Sequence, residues 1–482
     1  MAKRIQIPFV GPTARDRSVA VNDQVTVNFM QAIKGRGAKA PVVLETGPGI
    51  VVNADAGDGP IRTNQMVNSK VSGAEVLYGV YGSKLVAQTT TSGNQNVGTL
   101  NTLTGRVEIA RGRNYIMLVD GQYGYYYDGT TFAQIVDLDF PANPTHVRYI
   151  DGFFIVNDAA TDNFYISPLE DPSGDWNALD FEAASVAPDN ALAIAATESL
   201  LWIIGDETAQ AYYNTGNADF PYTVLLSATQ EVGILAPHSL AESDDGIFYL
   251  ATTPEGGRFV YLIQGTAGQV ITGDEEEAML TTVIDPTDAY AFIYKQAGKS
   301  FYVLQLSGTS GNDSRSSLTM VYNIKARSWE TREMQDGSAW RVGGHGILNN
   351  RNIVGSRLQG SQMELSLTNY QDAGQEMIRR RRTQIMHTLD YQMDWEELII
   401  DVEVGVGSAV DADPLIRVRY TDMDNEWSDY LDGYLGGTGN KTQRIVFHQL
   451  GQSRKREWEL LTSANAPETN IAANARVAIL QD

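Results

Sequence analysis

Cysteine is absent from all 482 residues. That excludes disulfide scaffolding, thiolate catalysis and cysteine-based zinc sites. Histidine is scarce, with only His146, His238, His345, His387 and His448. No two stand at ligand spacing and none lies in an HExxH arrangement, so spacing points to no metal site, no cofactor and no Ser-His-Asp hydrolase. Long apolar runs are missing too. The opening MAKRIQIPFVGPTARD has no apolar core of signal-peptide length, and the most apolar stretch, residues 191–204, is broken by Thr197, Glu198 and Ser199. Neither secretion by the usual signal nor a membrane span is expected, and synthesis in a cytoplasm is. Basic residues are outnumbered: 36 Lys and Arg face 59 Asp and Glu, for a net charge of −23. A surface of that sign cannot bind nucleic acid broadly, because phosphate binding needs a basic footprint. It favours solubility, and as a wall beside DNA it would repel rather than hold it. No glycine-rich loop precedes a helix, so there is no nucleotide cradle. Carboxylates are too abundant for any pair to mark a glycosidase.

What is present is turns and aromatic strands, with 45 Gly and 23 Tyr. Residues 137–235 show the pattern best. The short apolar runs 152–156, 163–166 and 200–204 are each bounded by Asp, Asn, Gly, Ser or Pro, which is how strands joined by tight turns read. Asp120-Gly121 and Asp128-Gly129 sit between aromatic runs, a strong hairpin signal. Strand pairs recur every 40 to 50 residues from about residue 71 to 370, a spacing that suggests roughly six propeller blades. Beyond residue 374 the runs lengthen into a second β-rich, sandwich-like unit. The expected organisation is all-β: residues 1–70 as an N-terminal arm with first strands, 71–374 as a β-propeller-like platform, and 375–482 as the C-terminal unit. The arm is locally basic through Arg15, Arg17, Lys34, Arg36 and Lys39. It has too few apolar residues for a core and is expected to order on a neighbouring copy or partner.

Three charged stretches are candidate interface or channel elements. Arg15 and Arg17 lie in the arm. Glu275, Glu276 and Glu277 belong to an acidic run that would form a negative ring if several copies surrounded a channel. Arg379, Arg380, Arg381 and Arg382 would either grip a phosphate or acidic partner or, alternating on a strand, stand half exposed and half paired with carboxylates. The run 422–427 fails the calcium-loop pattern, with Trp427 and Gly433 where Gly and Glu are required, and reads as a strand-to-strand turn.

Two ordered motif sets add a resemblance. The first holds Gly11-Pro12, Arg17-Ser18, Asn22, Gln24, Val27-Asn28-Phe29 and Leu44-Glu45-Thr46-Gly47-Pro48-Gly49. The second holds Asp139-Phe140-Pro141, then Asp151-Gly152-Phe153-Phe154, Trp176-Asn177-Ala178-Leu179-Asp180-Phe181, and Tyr213-Asn214-Thr215-Gly216-Asn217-Ala218-Asp219-Phe220-Pro221. Asn369-Tyr370-Gln371-Asp372-Ala373-Gly374, the arginine run and Gln449-Leu450-Gly451 follow. In this order and spacing the chain resembles the packaged-DNA stabilisation proteins of short-tailed bacteriophages, which form the tail hub or nozzle. Two turns depart from the family pattern, at the inserted Gly47 and at residues 424–427.

The resemblance implies a non-enzymatic virion protein that assembles in the host cytoplasm into a ring of six copies below the portal-adaptor. Such a ring would extend the DNA channel, help retain packaged DNA, let it pass without specific binding, and anchor tail spikes or fibres and a plug or needle protein. Asn28, Thr46, Pro48, Gly49, Asp151, Gly152, Trp176, Asn214, Gly216, Phe220 and Pro221 are then structural motif residues. The alternative reading is a carbohydrate-binding or carbohydrate-active propeller, in which Tyr and Trp would stack on sugars.

Overall fold

The computed structural model describes residues 2–16, 22–71, 74–89, 93–184, 189–197, 199–217, 220–253, 255–306, 317–388, 391–407, 411–423, 426–440 and 442–480. Among the described residues six antiparallel four-strand units follow one another along the chain, five as separate sheets and the sixth as the first four strands of a twelve-stranded sheet. They begin at Val67–Val71, Glu108–Arg111, Val147–Ile150, Ala193–Ala196, Ala241–Ser243 and Tyr290–Gln296. The expectation of about six blades matches these six, each built from consecutive strands. A composite seventh completes the circle. Val342–Leu348, Arg351–Ser356 and Ser361–Ser366 supply three strands, and Gly49–Asp55, from far upstream, pairs antiparallel with Ser361–Ser366 as the fourth. The first strand of each blade packs on that of the next, and Val342–Leu348 packs back on blade 1. The fold is a closed β-propeller.

Why the sheets stack in a ring is legible in the burial. Each blade presents apolar side chains on both faces, and an apolar cluster fills every gap between neighbours. Leu118, Tyr125 and Val80 fill the gap between blades 1 and 2, Trp202, Tyr249 and Tyr261 that between blades 4 and 5, and Ile61, Leu77 and Ile353 that between blades 7 and 1. A sheet buried on both faces has no solvent side, so its strands lose strict alternation and read as continuous apolar runs such as Leu201–Ile204.

The second body is a β-sandwich. One sheet orders Phe29–Ile33, Val42–Thr46, Thr469–Leu480, Gln392–Val402 and Ile445–His448. The other carries Asp23–Val27, Arg379–Arg382, Lys455–Thr462 and Leu415–Met423, and it joins the outer strand of blade 6 through one parallel pairing, Val27↔Thr331. Gln392–Val402 alternates, sending Met393, Trp395, Leu398, Ile400 and Val402 inward around a register shift at Glu396. Trp395 and Trp458 meet edge to face at 5.5 Å in the core.

This corrects the expected N-terminal arm. Ala2–Ile7 pairs antiparallel with Thr469–Leu480, and Ile7, Phe9, Phe29 and Leu44 are buried beside Trp395, Leu398 and Val477. The segment makes no core of its own, as its composition required, but the surface that orders it belongs to the same chain.

Candidate functional site at the propeller axis and the arginine strand

Five polar side chains converge where the inner strands meet. Glu108 opens the inner strand of blade 2, Arg148 lies on that of blade 3 and Glu242 on that of blade 5. His146 immediately precedes the blade 3 strand, and His238 sits in the short turn Pro237–Ser239 ahead of blade 5. Arg148 bridges the two carboxylates at 2.8 Å each. The other Glu108 oxygen stands 3.7 Å from His238 Nδ1, and the two imidazoles stack at 5.0 Å. Burial alone would raise the Glu108 carboxyl. The Arg148 guanidinium and the neighbouring His238 outweigh it and hold the group well below the usual carboxylate range. Burial pushes His146 down to about 3, so it is neutral near pH 7. Its Nε2 lies 3.2 Å from Pro237 O, an oxygen that only accepts, which places the ring proton on Nε2. A cavity of about 230 Å³ lies against the cluster, lined by Glu108, Arg148, Glu242, Asn64 and Phe292 among others.

The arginine strand is internal. Strand alternation buries Arg379 and Arg381 completely and leaves Arg380 and Arg382 half-buried. Arg379 donates to Thr46 Oγ1 and Ala466 O, both at 3.1 Å. Arg381 donates to Pro12 O at 2.7 Å, Gln24 Oε1 at 2.7 Å and Thr26 Oγ1 at 3.0 Å. Arg380 pairs with Glu333 at 2.9 Å. Arg382 reaches Asp23 on one neighbouring strand and Glu459, at 3.1 Å, on the other. With Arg419 it also covers the ring of Trp427. Of the two readings, the structure places the run with internal carboxylates and carbonyls, because both flanking strands come from the same chain and bring their own acceptors.

The motif residues are joints. Asn28 adopts φ 57° and ties blade 6 to the sandwich: its amide donates to Glu333 O at 2.9 Å and Ile378 O at 2.8 Å. Thr46 Oγ1 accepts from Arg379 and from the Glu468 backbone at 3.0 Å. Pro48 is buried in the turn before the closing strand. A side chain on Gly49 would stand 2.3 Å from Asn369 O, so only glycine fits. Asp151 (φ 54°) and Gly152 (φ 88°) make the inner hairpin of blade 3. Asp151 then accepts from Asn214 at 3.0 Å and Tyr222 at 3.3 Å across to blade 4. Asn214 also accepts from the Gly216 backbone at 2.8 Å, and Pro221 O from that of Thr215 at 2.7 Å. Phe220 packs edge-on to Phe164 at 5.7 Å. Trp176 is buried between blades 2 and 3, donating to Pro172 O at 3.1 Å.

The remaining candidates lie apart. Arg15, part exposed, pairs with Asp23 at 2.6 Å, and Arg17 falls outside the described residues. Glu275, Glu276 and Glu277 stand in the first turn of the helix Asp274–Thr281, which packs on blade 5 and on Ala14–Arg15. Glu276 caps that helix by accepting from Gly273 N at 2.8 Å, and acids there favour the helix dipole. Sequence reading missed the axial cluster because its members are distant in the chain. A blade-by-blade register would have gathered them, since each lies shortly before an inner strand or within its first two residues.

A protein-family model described as bacteriophage P22 Gp10, beta-propeller, matches residues 5–368. No curated protein matches. Similar solved structures include the N-terminal domain of Nup159, with TM-score 0.40, 9% identity and coverage of 70% of this chain and 99% of that one. A computationally designed protein, Ika8, matches with TM-score 0.36, 10% identity and coverage of 74% and 100%.

Proposed function

The chain belongs to the bacteriophage P22 Gp10 β-propeller family, a family of phage tail structural proteins, and from that premise we propose that it is the tail hub or nozzle. In this reading several copies, six by family resemblance, assemble in the host cytoplasm and form a ring below the portal-adaptor. The ring extends the DNA channel, helps retain packaged DNA and anchors spikes or fibres and a plug.

The observation that carries the reading is the narrowness of the propeller axis. Its cavity of about 230 Å³ cannot admit a duplex whose major groove alone is about 12 Å wide. DNA would therefore pass between copies, not through one. A rigid subunit suits that task. The propeller is closed by its own upstream strand, and the sandwich is sewn to blade 6 by Asn28 and Arg380. A net charge of −23 per copy would let DNA slide without counterion release.

Mixing purified protein with portal-adaptor assemblies and imaging them by negative stain tests the reading. Closed rings seated on the adaptor are expected. A 52.8 kDa chain that stays monomeric and unbound at micromolar concentration would overturn it.

A further inference from the structure

We propose that Glu108, His146 and His238 bind a divalent transition-metal cation of the zinc class at the propeller axis, joining blades 2, 3 and 5. One carboxylate and two imidazoles are a donor set suited to that ion. Each residue offers one ligand atom, and the three atoms lie within 4.8 Å of one another. The Glu108 Oε1 to His238 Nδ1 distance is 3.7 Å. Bond lengths near 2.0–2.1 Å in a tetrahedral site set ligand atoms about 3.3 Å apart. That pair therefore needs to close by about 0.4 Å, and the widest pair by more.

The surroundings are those of a held ligand set. His238 Nδ1 is buried and makes no hydrogen bond, with Glu108 Oε1 3.7 Å away, so its lone pair is uncommitted on the side that faces the carboxylate. Glu108 is 6% exposed. Arg148 takes its Oε2 and leaves Oε1, on the His238 side, free of that bond. Pro237 O, 3.2 Å from Nε2, takes that nitrogen's proton and orients the ring, leaving Nδ1, 3.2 Å from Thr145 Oγ1, as the His146 donor atom. Outer contacts of this kind orient metal ligands elsewhere. The nearest opposing charge, Arg148, is matched by Glu242 at 2.8 Å, so a dication meets two carboxylates and one guanidinium. The adjoining cavity, which Glu108 lines, has room for water beside that carboxylate.

The test uses the full chain, stripped with chelator and then titrated with ZnCl₂ by calorimetry and with CoCl₂ by visible absorption. The expected result is one equivalent of Zn²⁺ per chain, four-coordinate Co²⁺ bands, and a thermal midpoint raised by the metal. His238→Ala should weaken binding at least tenfold and abolish the Co²⁺ bands, while His448→Ala, an exposed control beside Glu397, should bind as the parent does. Glu108→Gln is a second ligand variant. If it fails to fold, His238→Ala, on a part-exposed turn, decides. No stoichiometric uptake, or undiminished uptake by His238→Ala, would overturn the proposal.

Discussion

Replacing Arg382 with Met removes a side chain that links Asp23–Val27 to Lys455–Thr462 across the arginine strand. Asp23 and Glu459 are 5% and 0% exposed, and Arg382 itself is 16% exposed. Burial by itself lowers the Arg382 pKa, but Glu459, Asp23 and Glu457 outweigh it and raise it, so the charged form is favoured where it sits. Breaking a buried pair by removing one partner costs about 3–5 kcal/mol. Asp23 keeps Arg15 and Glu459 keeps Arg419, so the lower end applies, about 3 kcal/mol. At about 1.4 kcal/mol per tenfold, this raises the local opening equilibrium roughly 100-fold. Native-state hydrogen exchange reads that opening peptide by peptide. Residues 22–27 and 455–462 should lose protection by about that factor, while blades 2 to 5 keep theirs. A change below about threefold, or an equal loss across the propeller, would refute the idea that this strand holds the sandwich to the N-terminal segment.

Other perturbations address the closure. Burial pushes Glu330 and Asp372 up to about 7, and Arg332 opposes the shift in both without cancelling it. The folded chain then keeps protons that the unfolded chain releases near pH 4, so stability declines as pH rises from about 4 to 7 and is level above that. The thermal midpoint should be higher at about pH 5.5 than at pH 8, and the double variant Glu330→Gln, Asp372→Asn should flatten the dependence. Gly49→Ala forces a methyl against the Asn369 and Gln371 carbonyls. It should cost about 3 kcal/mol, read as a lower thermal midpoint with exchange concentrated in blade 7. Asn28→Ala loses two amide hydrogen bonds and strains a φ of 57°, for a cost of about 2–3 kcal/mol by chemical denaturation, whereas Asn28→Gly relieves the strain and should cost less.

The parts of the fold visible in the sequence are local. Asp120-Gly121 and Asp128-Gly129 announce hairpins because glycine at φ 88° and 96° satisfies the turn without help from elsewhere. Blade rhythm is visible for the same reason, since each blade is made of consecutive strands. The closing strand Gly49–Asp55 was out of reach because its partner, Ser361–Ser366, lies at the far end of the propeller and nothing in its seven residues encodes that pairing. The arginine run could be seen as an alternating strand, yet which side chains meet carboxylates depends on two neighbours from opposite ends of the chain. The N-terminal segment shows the limit most clearly. Composition established that it needs a surface, and only the fold identifies Thr469–Leu480 as that surface. The axial histidines had no mutual spacing to read, because the ring, not the chain, brings them together.

The central claim is that this subunit builds a DNA channel from several copies and carries none through its own axis. Cryo-electron microscopy of the intact virion tail measures this directly. The account predicts a ring of copies around a continuous lumen, six by family resemblance, with DNA density in that lumen and none along any propeller axis. A single copy per tail, or DNA density threading one propeller past Glu108 and Arg148, would contradict it.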